Sequence, residues 1–409
     1  MKQSLDDISR RALDVAAVAL TPAAYPAASA AVLPLDGIRV LDLSQVLAAP
    51  YCASMLGDLG ADVIKIEPPS RDLIAAADDY LGPGYSAYYA SANRNKRYGT
   101  LDFTECQGRA ELDTLIRDAD VVILNLRTRS LAKLKLRYED LRAINPQLVY
   151  CLITGFGESG PRSEQPGMDL VAQALGGVMG TTGETGGAPV KASSPMADFS
   201  AALYSSQAIL AALIRRGVTG KGAKVAVNLL DATVAMMANF VPQHFATGEE
   251  VMPIGGGHPQ VVPYQAFAAN DGWFVVACIT QAFWHSLCEL IGRREWLNDP
   301  RFRTNTDRRT HRLALTTQLA DIFRTEPRAH WVDLLSGGGV PSVEINRFSE
   351  VFRDPQVVYN GSAVRVRHPD IGDYIVARNP ILLDDHTLPV RMPVGRSDDG
   401  NIKLRFIQR

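Results

Sequence analysis

The sequence predicts an α/β protein: a doubly wound parallel sheet in the larger N-terminal part, with a second, smaller α+β domain behind it. Three observations carry the prediction. Short β-branched runs alternate with helical patterns from Leu35 to Leu230, the order of βαβ units and so of a parallel sheet with right-handed crossovers. Past that point the pattern changes to paired strands followed by a run of helices. With 409 residues, 46% of them hydrophobic, the chain is long enough to fill two cores.

In order along the chain, residues 1–34 read as a loosely ordered extension. Their Ala-rich run is broken by Pro22, Pro26 and Pro34 and lacks the dense apolar segment of a secretion signal. Leu35 to Ser44 is the first buried strand, Tyr51 to Leu59 a helix closed by Gly60, and Ala61 to Glu67 a second strand stopped by Pro68 and Pro69. A short strand follows Asn93–Arg97. Helices around Gln107 to Arg117 and Tyr138 to Ile144 lead into strands at Asp120 to Leu124 and Leu148 to Thr154. A helix opens near Asp169, a long one runs from Ala201 to Ile214, and Lys224 to Leu230 is the last strand of this Rossmann-like domain, 35–230. Residues 231–260 read as a linker that includes a helix and the glycine run Ile254–Gln260. Domain 261–350 has strands near Tyr264 and Trp273 and helices at Ala282 to Ile291, Arg312 to Arg324 and Ala329 to Leu335. Segment 351–409 holds a hairpin with Gly372 at its turn and returns toward the large domain.

Charge is nearly balanced, 42 basic residues against 44 acidic, so neither a nucleic-acid nor a membrane partner is expected. No stretch reads as the roughly 20 apolar residues of a membrane span. The five cysteines, Cys52, Cys106, Cys151, Cys278 and Cys288, form no C-x-x-C pair. That argues against a disulfide framework and a zinc site and points to a reducing cytoplasm.

Candidate chemistry centres on Asp198, at the mouth of the long helix after Pro195. A carboxylate in a first turn gains from the helix dipole, which favours its charged, nucleophilic form at neutral pH. On its own the residue also reads as a plain helix cap. Ligands of doubly wound sheets sit beyond the carboxyl ends of the strands, here 44–50, 67–72, 125–129 and 155–160. Gly155-Phe-Gly-Glu-Ser-Gly160 is a literal G-x-G-x-x-G. Pro161 and Pro166 stand where a phosphate-binding helix would begin, so the run reads as a tight turn rather than a dinucleotide site. Two basic stretches, Asn93–Arg97 and Asn125–Arg129 with Lys133 and Lys135, are either solvated clusters or a joint phosphate site at the sheet's ligand edge. Gly255, Gly256 and Gly257 suit a linker or a loop laid directly over a ligand.

The order of these landmarks resembles the class III CoA-transferases, from about residue 35 to residue 390. The resemblance is carried by Leu35-Asp-Gly-Ile-Arg-Val-Leu-Asp-Leu, Gly60-Ala-Asp-Val-Ile-Lys-Ile-Glu-Pro-Pro69, Asn93–Arg97, Ile144-Asn-Pro and Gly155-Phe-Gly. Gln173-Ala-Leu-Gly-Gly177, Ala197-Asp198, Thr219-Gly-Lys-Gly222 and Leu230-Asp-Ala232 continue it. It implies that Asp198 is the catalytic aspartate and that Gly255–Gly257 shield its covalent intermediates. Val46, Leu47 and Ala48 would line the CoA channel; Leu101, Asp102, Phe103, Thr104, Asn125, Leu126 and Arg127 would face the adenosine part. Arg71 and Lys133 would meet phosphates, and Met168 and Asp169 complete the CoA-binding set. No metal and no permanently bound cofactor is implied. The resemblance further implies coenzyme A and acyl-CoA as substrates beside a small carboxylic acid, and an interlocked homodimer as the assembly.

The related 2-methylacyl-CoA racemases pair the aspartate with a histidine and a glutamate, and those positions are Met168 and Thr280 here. Losing both proton relays argues against racemisation. A glutamine of some formyl-CoA transferases is Leu47, and a phosphate-contacting arginine is Pro68, with Arg71 close by. The stretch His258–Phe267 is more similar to the branch that serves dicarboxylates such as succinate and glutarate. The tail after Pro393 departs from the family. An acyl-CoA-binding protein without turnover and a nicotinamide dehydrogenase are the readings from other classes.

Overall fold

The computed structural model describes residues 33–70, 73–396 and 405–407. Arg71, most of the expected N-terminal extension and much of the divergent tail lie outside the described residues. The chain forms two compact units, one made of the residues up to Val178 with Lys191–Thr247 and those from Phe352, the other of Met179–Val190 and Gly248–Val351.

The first unit is the α/β part. Its elements run β1 (Arg39–Asp42), α1 (Ala48–Asp58), β2 (Asp62–Glu67), α2 (Ala87–Ser91), β3 (Arg97–Thr100), α3 (Cys106–Asp118), β4 (Val121–Leu124) and α4 (Thr128–Lys133). Then come α5 (Tyr138–Ile144), β5 (Val149–Thr154), α6 (Asp169–Leu175), α7 (Met196–Thr219), β6 (Ala223–Asn228), α8 (Leu229–Met236) and α9 (Phe240–Thr247). The six strands are all parallel, in the order β3-β2-β1-β4-β5-β6. This is the doubly wound order whose switch point lies between β1 and β4.

Alternation along the strands makes two cores, one on each face of the sheet. Val40, Val63, Val121, Val149 and Cys151 pack under α1 and α7, while Leu41, Ile64, Val122, Tyr150 and Leu152 pack with Leu112, Leu115 and Ile116 of α3. By length and composition α7 could cross a membrane, contrary to the sequence expectation. Its small-residue face, with Ala197, Ala201, Ala202, Ser205 and Ala212, is buried instead, which lets the helix lie close on the sheet. Two segments fall elsewhere than the sequence suggested. Residues 231–247, which carry most of α8 and all of α9, belong to the first unit, where α8 buries Leu229, Ala232 and Thr233, and residues 179–190 join the second unit.

In the second unit, β7 (Tyr264–Ala268), β8 (Trp273–Ala277) and β9 (Ser342–Glu344) form an antiparallel sheet, β9 being a strand the sequence did not reveal. Helices α10 (Gln281–Leu290), α11 (Arg312–Phe323) and α12 (Arg328–Gly337) pack around it through Trp284, Phe323 and Trp331. Residues from Phe352 return to the first unit with a hairpin of β10 (Ala363–His368) and β11 (Gly372–Ala377), where Gly372 has φ 77°.

The stretch Asn93–Arg97 is not a phosphate site. Asn93, Arg94, Asn95 and Lys96 are buried, and their charges are matched from within: Arg94 Nη2 lies 2.6 Å from Asp58 Oδ2 and Lys96 Nζ 2.8 Å from Asp42 Oδ2. Arg97 forks onto Asp62 at 2.7 Å. A cation removed from water needs such a partner, so these side chains are committed to the fold.

Candidate active site

A cavity of about 820 Å³ opens where β1, β4 and β5 end, at the switch point of the sheet. Its walls are Gln45, Val46, Leu47 and Ala48 after β1, Asn125, Leu126, Arg127 and Thr128 after β4, and Ile153 to Gly155 at the end of β5. Gly167 to Leu170, Tyr88, Lys191 and Asp198 complete it. Helix α1 starts on this wall without a side-chain cap, and its first-turn N–H groups lack intrahelical acceptors.

Asp198 sits in the first turn of α7, but the cap of that helix is a different residue. Asp169 Oδ1 accepts from Ala197 N at 2.9 Å, and Asp169 Oδ2 accepts from Gln173 Nε2 at 2.8 Å. Gln173 Oε1 in turn accepts from Ala192 N at 2.9 Å, tying the segment before α7 to α6. The Asp198 carboxyl is left facing the cavity without a hydrogen bond to any described residue. Burial, and after it the neighbouring Asp169 carboxylate, push its pKa up to about 7. The sequence reading had the helix dipole favouring the charged form; burial and the second carboxylate act in the opposite direction, and a pKa of about 7 leaves both protonation states of Asp198 populated near neutrality. The Tyr88 phenol is likewise pushed up, by burial and then by Asp198 and Asp169.

Two glycines bring Asp169 into place. A Cβ on Gly155 would lie 2.4 Å from Gly167 Cα, so the end of β5 and the approach to α6 meet backbone to backbone. No helix follows Gly155–Gly160, in agreement with the tight-turn reading.

Of the residues singled out from the sequence, Val46, Leu47, Ala48, Asn125, Leu126, Arg127, Met168, Asp169 and Asp198 line this one cavity. Others do not. Leu101 is buried in the α3-side core with Phe103 against it, Asp102 accepts from Thr104 N at 3.0 Å in a turn, and Lys133 is exposed away from the wall. Arg127 is exposed and makes no ion pair among the described residues. Gly255, Gly256 and Gly257 belong to the second unit. Gly255 has φ 64° and donates its N–H to Gly183 O at 2.8 Å, and a Cβ there would lie 2.7 Å from Glu184 Oε2. Tyr88 and Lys191 were not anticipated as wall residues, and Gln45 only as part of the ligand edge 44–50. The pair Tyr88-Tyr89 ahead of a basic run was the only sequence signal available for the first of them.

The family profile for CoA-transferase family III matches residues 35–395. The chain belongs to that family. This class III CoA-transferase is 36% identical over 389 residues to the succinyl-CoA:glutarate CoA-transferase of Homo sapiens, a match covering 90% of this chain and 88% of that protein. To the acetyl-CoA:oxalate CoA-transferase of Acetobacter aceti it is 33% identical over 375 residues, covering 91% of this chain and 95% of the other. Among solved structures, a CaiB/BaiF family protein from Brucella suis superposes on the transferase with a TM-score of 0.80 and 37% identity, over 90% of this chain and 97% of that one.

Proposed function

We propose that this enzyme moves coenzyme A from an acyl-CoA, with succinyl-CoA as the first donor to test, to a small carboxylic acid by covalent catalysis at Asp198. The observation that carries the reading is the free Asp198 carboxyl facing a cavity at the switch point while Asp169 caps its helix. The names of the relatives support a dicarboxylate as acceptor.

In this reading the Asp198 carboxylate attacks the thioester carbonyl and forms an acyl-aspartyl anhydride as the CoA thiolate leaves. The thiolate then attacks the aspartyl carbonyl, releasing the first acid and leaving an aspartyl-CoA thioester. The incoming carboxylate displaces the thiolate to give a second anhydride, and the thiolate takes its acyl group, restoring Asp198. Val46, Leu47, Ala48 and the residues from Asn125 to Arg127 form the CoA wall, with Arg127 as the cation nearest a phosphate role. The resemblance assigns Gly255–Gly257 to shielding the intermediates from water, a task suited to backbone without side chains. Racemisation gains no support: Met168 is exposed without a titratable group, and Thr280 accepts from Phe283 N as the cap of α10. We also read the enzyme as a homodimer working in a reducing cytoplasm, in keeping with five free cysteines.

Mass spectrometry of the intact protein after incubation with succinyl-CoA tests the core of this. A CoA- or acyl-sized adduct on Asp198, removed by hydroxylamine and missing from Asp198→Ala, is the expected result. Absence of any adduct across a panel of acyl-CoAs, with CoA binding intact, overturns it.

A further inference from the structure

The loop from Ser44 to Leu47 forms the cavity wall, and its backbone runs against preference. Val46 has φ 69°, a left-handed conformation that strains a β-branched residue. The residues just before it are gripped from several sides. Asp42 accepts from Ser44 N at 3.0 Å and from the Ser44 hydroxyl, and Lys65 Nζ donates to Ser44 O at 2.7 Å. Asp42 and Lys65 are fully buried, with Lys96 matching the Asp42 charge.

The last grip is the most specific. Asn125 Oδ1 accepts from Gln45 N at 3.0 Å while Asn125 Nδ2 donates to Gln45 O at 2.6 Å. Strands β1 and β4 pair in parallel through Asp42 and Ile123, and Leu43 N still reaches Ile123 O at 3.0 Å. There the main chains part at the switch point. One residue past β4, the Asn125 carboxamide supplies the donor and the acceptor that a strand would have offered. Holding the Gln45 carbonyl fixes the plane of the Gln45–Val46 peptide, one of the two planes that define φ at Val46.

We propose that Asn125 is a positioning residue rather than a direct ligand of coenzyme A: its carboxamide holds Gln45, and through it keeps Val46 in the left-handed conformation that shapes the wall. The proposal rests on the reading of this cavity as the CoA site. It departs from the adenosine-facing role that the sequence resemblance implied for Asn125, because the paired bonds to Gln45 N and O already fix the orientation of the carboxamide and take one donor and one acceptor site.

A double-mutant cycle separates the two roles. Asn125→Ala, Val46→Gly and the double variant are compared with the wild-type enzyme for the Kd of coenzyme A by calorimetry, and for kcat and KM with succinyl-CoA and glutarate. In the Val46 background, Asn125→Ala raises Kd and KM for the CoA species by about tenfold with a smaller change in kcat. Glycine adopts positive φ without strain, so in the Val46→Gly background the same substitution costs less than about threefold. Equal losses in both backgrounds overturn the proposal and return Asn125 to a direct contact. If Asn125→Ala does not fold, Asn125→Asp, which keeps the acceptor and loses the donor, is read through the same cycle. A wild-type enzyme that binds no coenzyme A overturns the reading of the cavity and the positioning role with it, an outcome distinct from additivity.

Discussion

Asp198 governs how activity should depend on pH. Its pKa of about 7 is set by burial first and then by Asp169, and the Tyr88 phenol is raised in turn by burial and by these two carboxylates. Only the ionised form attacks a thioester, so single-turnover acyl transfer from succinyl-CoA should rise about tenfold between pH 6 and 8 and then level off. A flat profile over that range would remove Asp198 as the nucleophile with this charge state. Stability follows the opposite sign. The folded state holds the Asp198 proton more tightly than the unfolded chain, whose ordinary value is 3.8, so the wild type loses stability as pH rises from about 4 to about 7. Asp198→Asn carries no such penalty. Urea unfolding should find it more stable than wild type by on the order of 2 kcal/mol at pH 8, after allowance for solvent screening of a partly exposed carboxyl, with little difference at pH 4. At this scale the sequence singled out the residue that the fold places on the cavity wall, but not its charge state. The cause, a second carboxylate that caps the same helix from α6, is a tertiary fact. Val46 was equally illegible as a strained position, since valine is a poor candidate for positive φ.

Charge runs mislead when their partners are far away in the chain, and the stretch before β3 is an instance. Read alone, Asn93–Arg97 is a basic cluster, either solvated or part of a phosphate site. In the fold, Arg94 donates to Asp58 from Nε at 3.0 Å and from Nη2 at 2.6 Å, and Asn95 Nδ2 donates to the same carboxylate at 2.8 Å. The segment after β11 joins the same knot. Asn379 Nδ2 reaches Asp58 Oδ2 at 3.0 Å, Asn95 Oδ1 accepts from Arg391 N at 2.6 Å, and Arg391 Nη2 donates to Gly57 O at 2.6 Å. Asp58, at the end of α1, thus ties β3 and the C-terminal segment to the helix that begins at the cavity wall. Asp58→Ala strands a buried guanidinium and two amides, for which a loss of about 3–5 kcal/mol is expected in urea unfolding. Limited proteolysis should then cut between 379 and 392 sooner than in wild type. A change under about 1 kcal/mol with unaltered cleavage would mean that the knot contributes little to holding the segment.

For the molecule as a whole, the alternation of strands and helices was enough to reach the parallel sheet, because buried β-branched runs and glycine stops are local signals. What covers the outside of the first unit is not local. Leu203, Ile214 and Val218 form one exposed stripe on α7 at helical spacing, Val234 and Met236 are exposed on α8, and Phe245 on α9 is 83% exposed. A surface this apolar marks an interface. A second copy is the natural occupant for a chain whose net charge is only −2, since self-repulsion is slight and a two-fold contact lets the same patch serve both partners. Light scattering at micromolar concentration should therefore return twice the chain mass of 44.4 kDa. Val218→Glu combined with Phe245→Glu should shift that mass toward the single chain and lower Tm, because two carboxylates would be buried unpaired in the contact. Leu313→Glu, at an exposed site on α11 of the second unit, is the control expected to leave the mass unchanged. A single-chain mass for the wild-type enzyme, with the stripe open to solvent and the protein still soluble, would defeat the assignment of a second copy to this face.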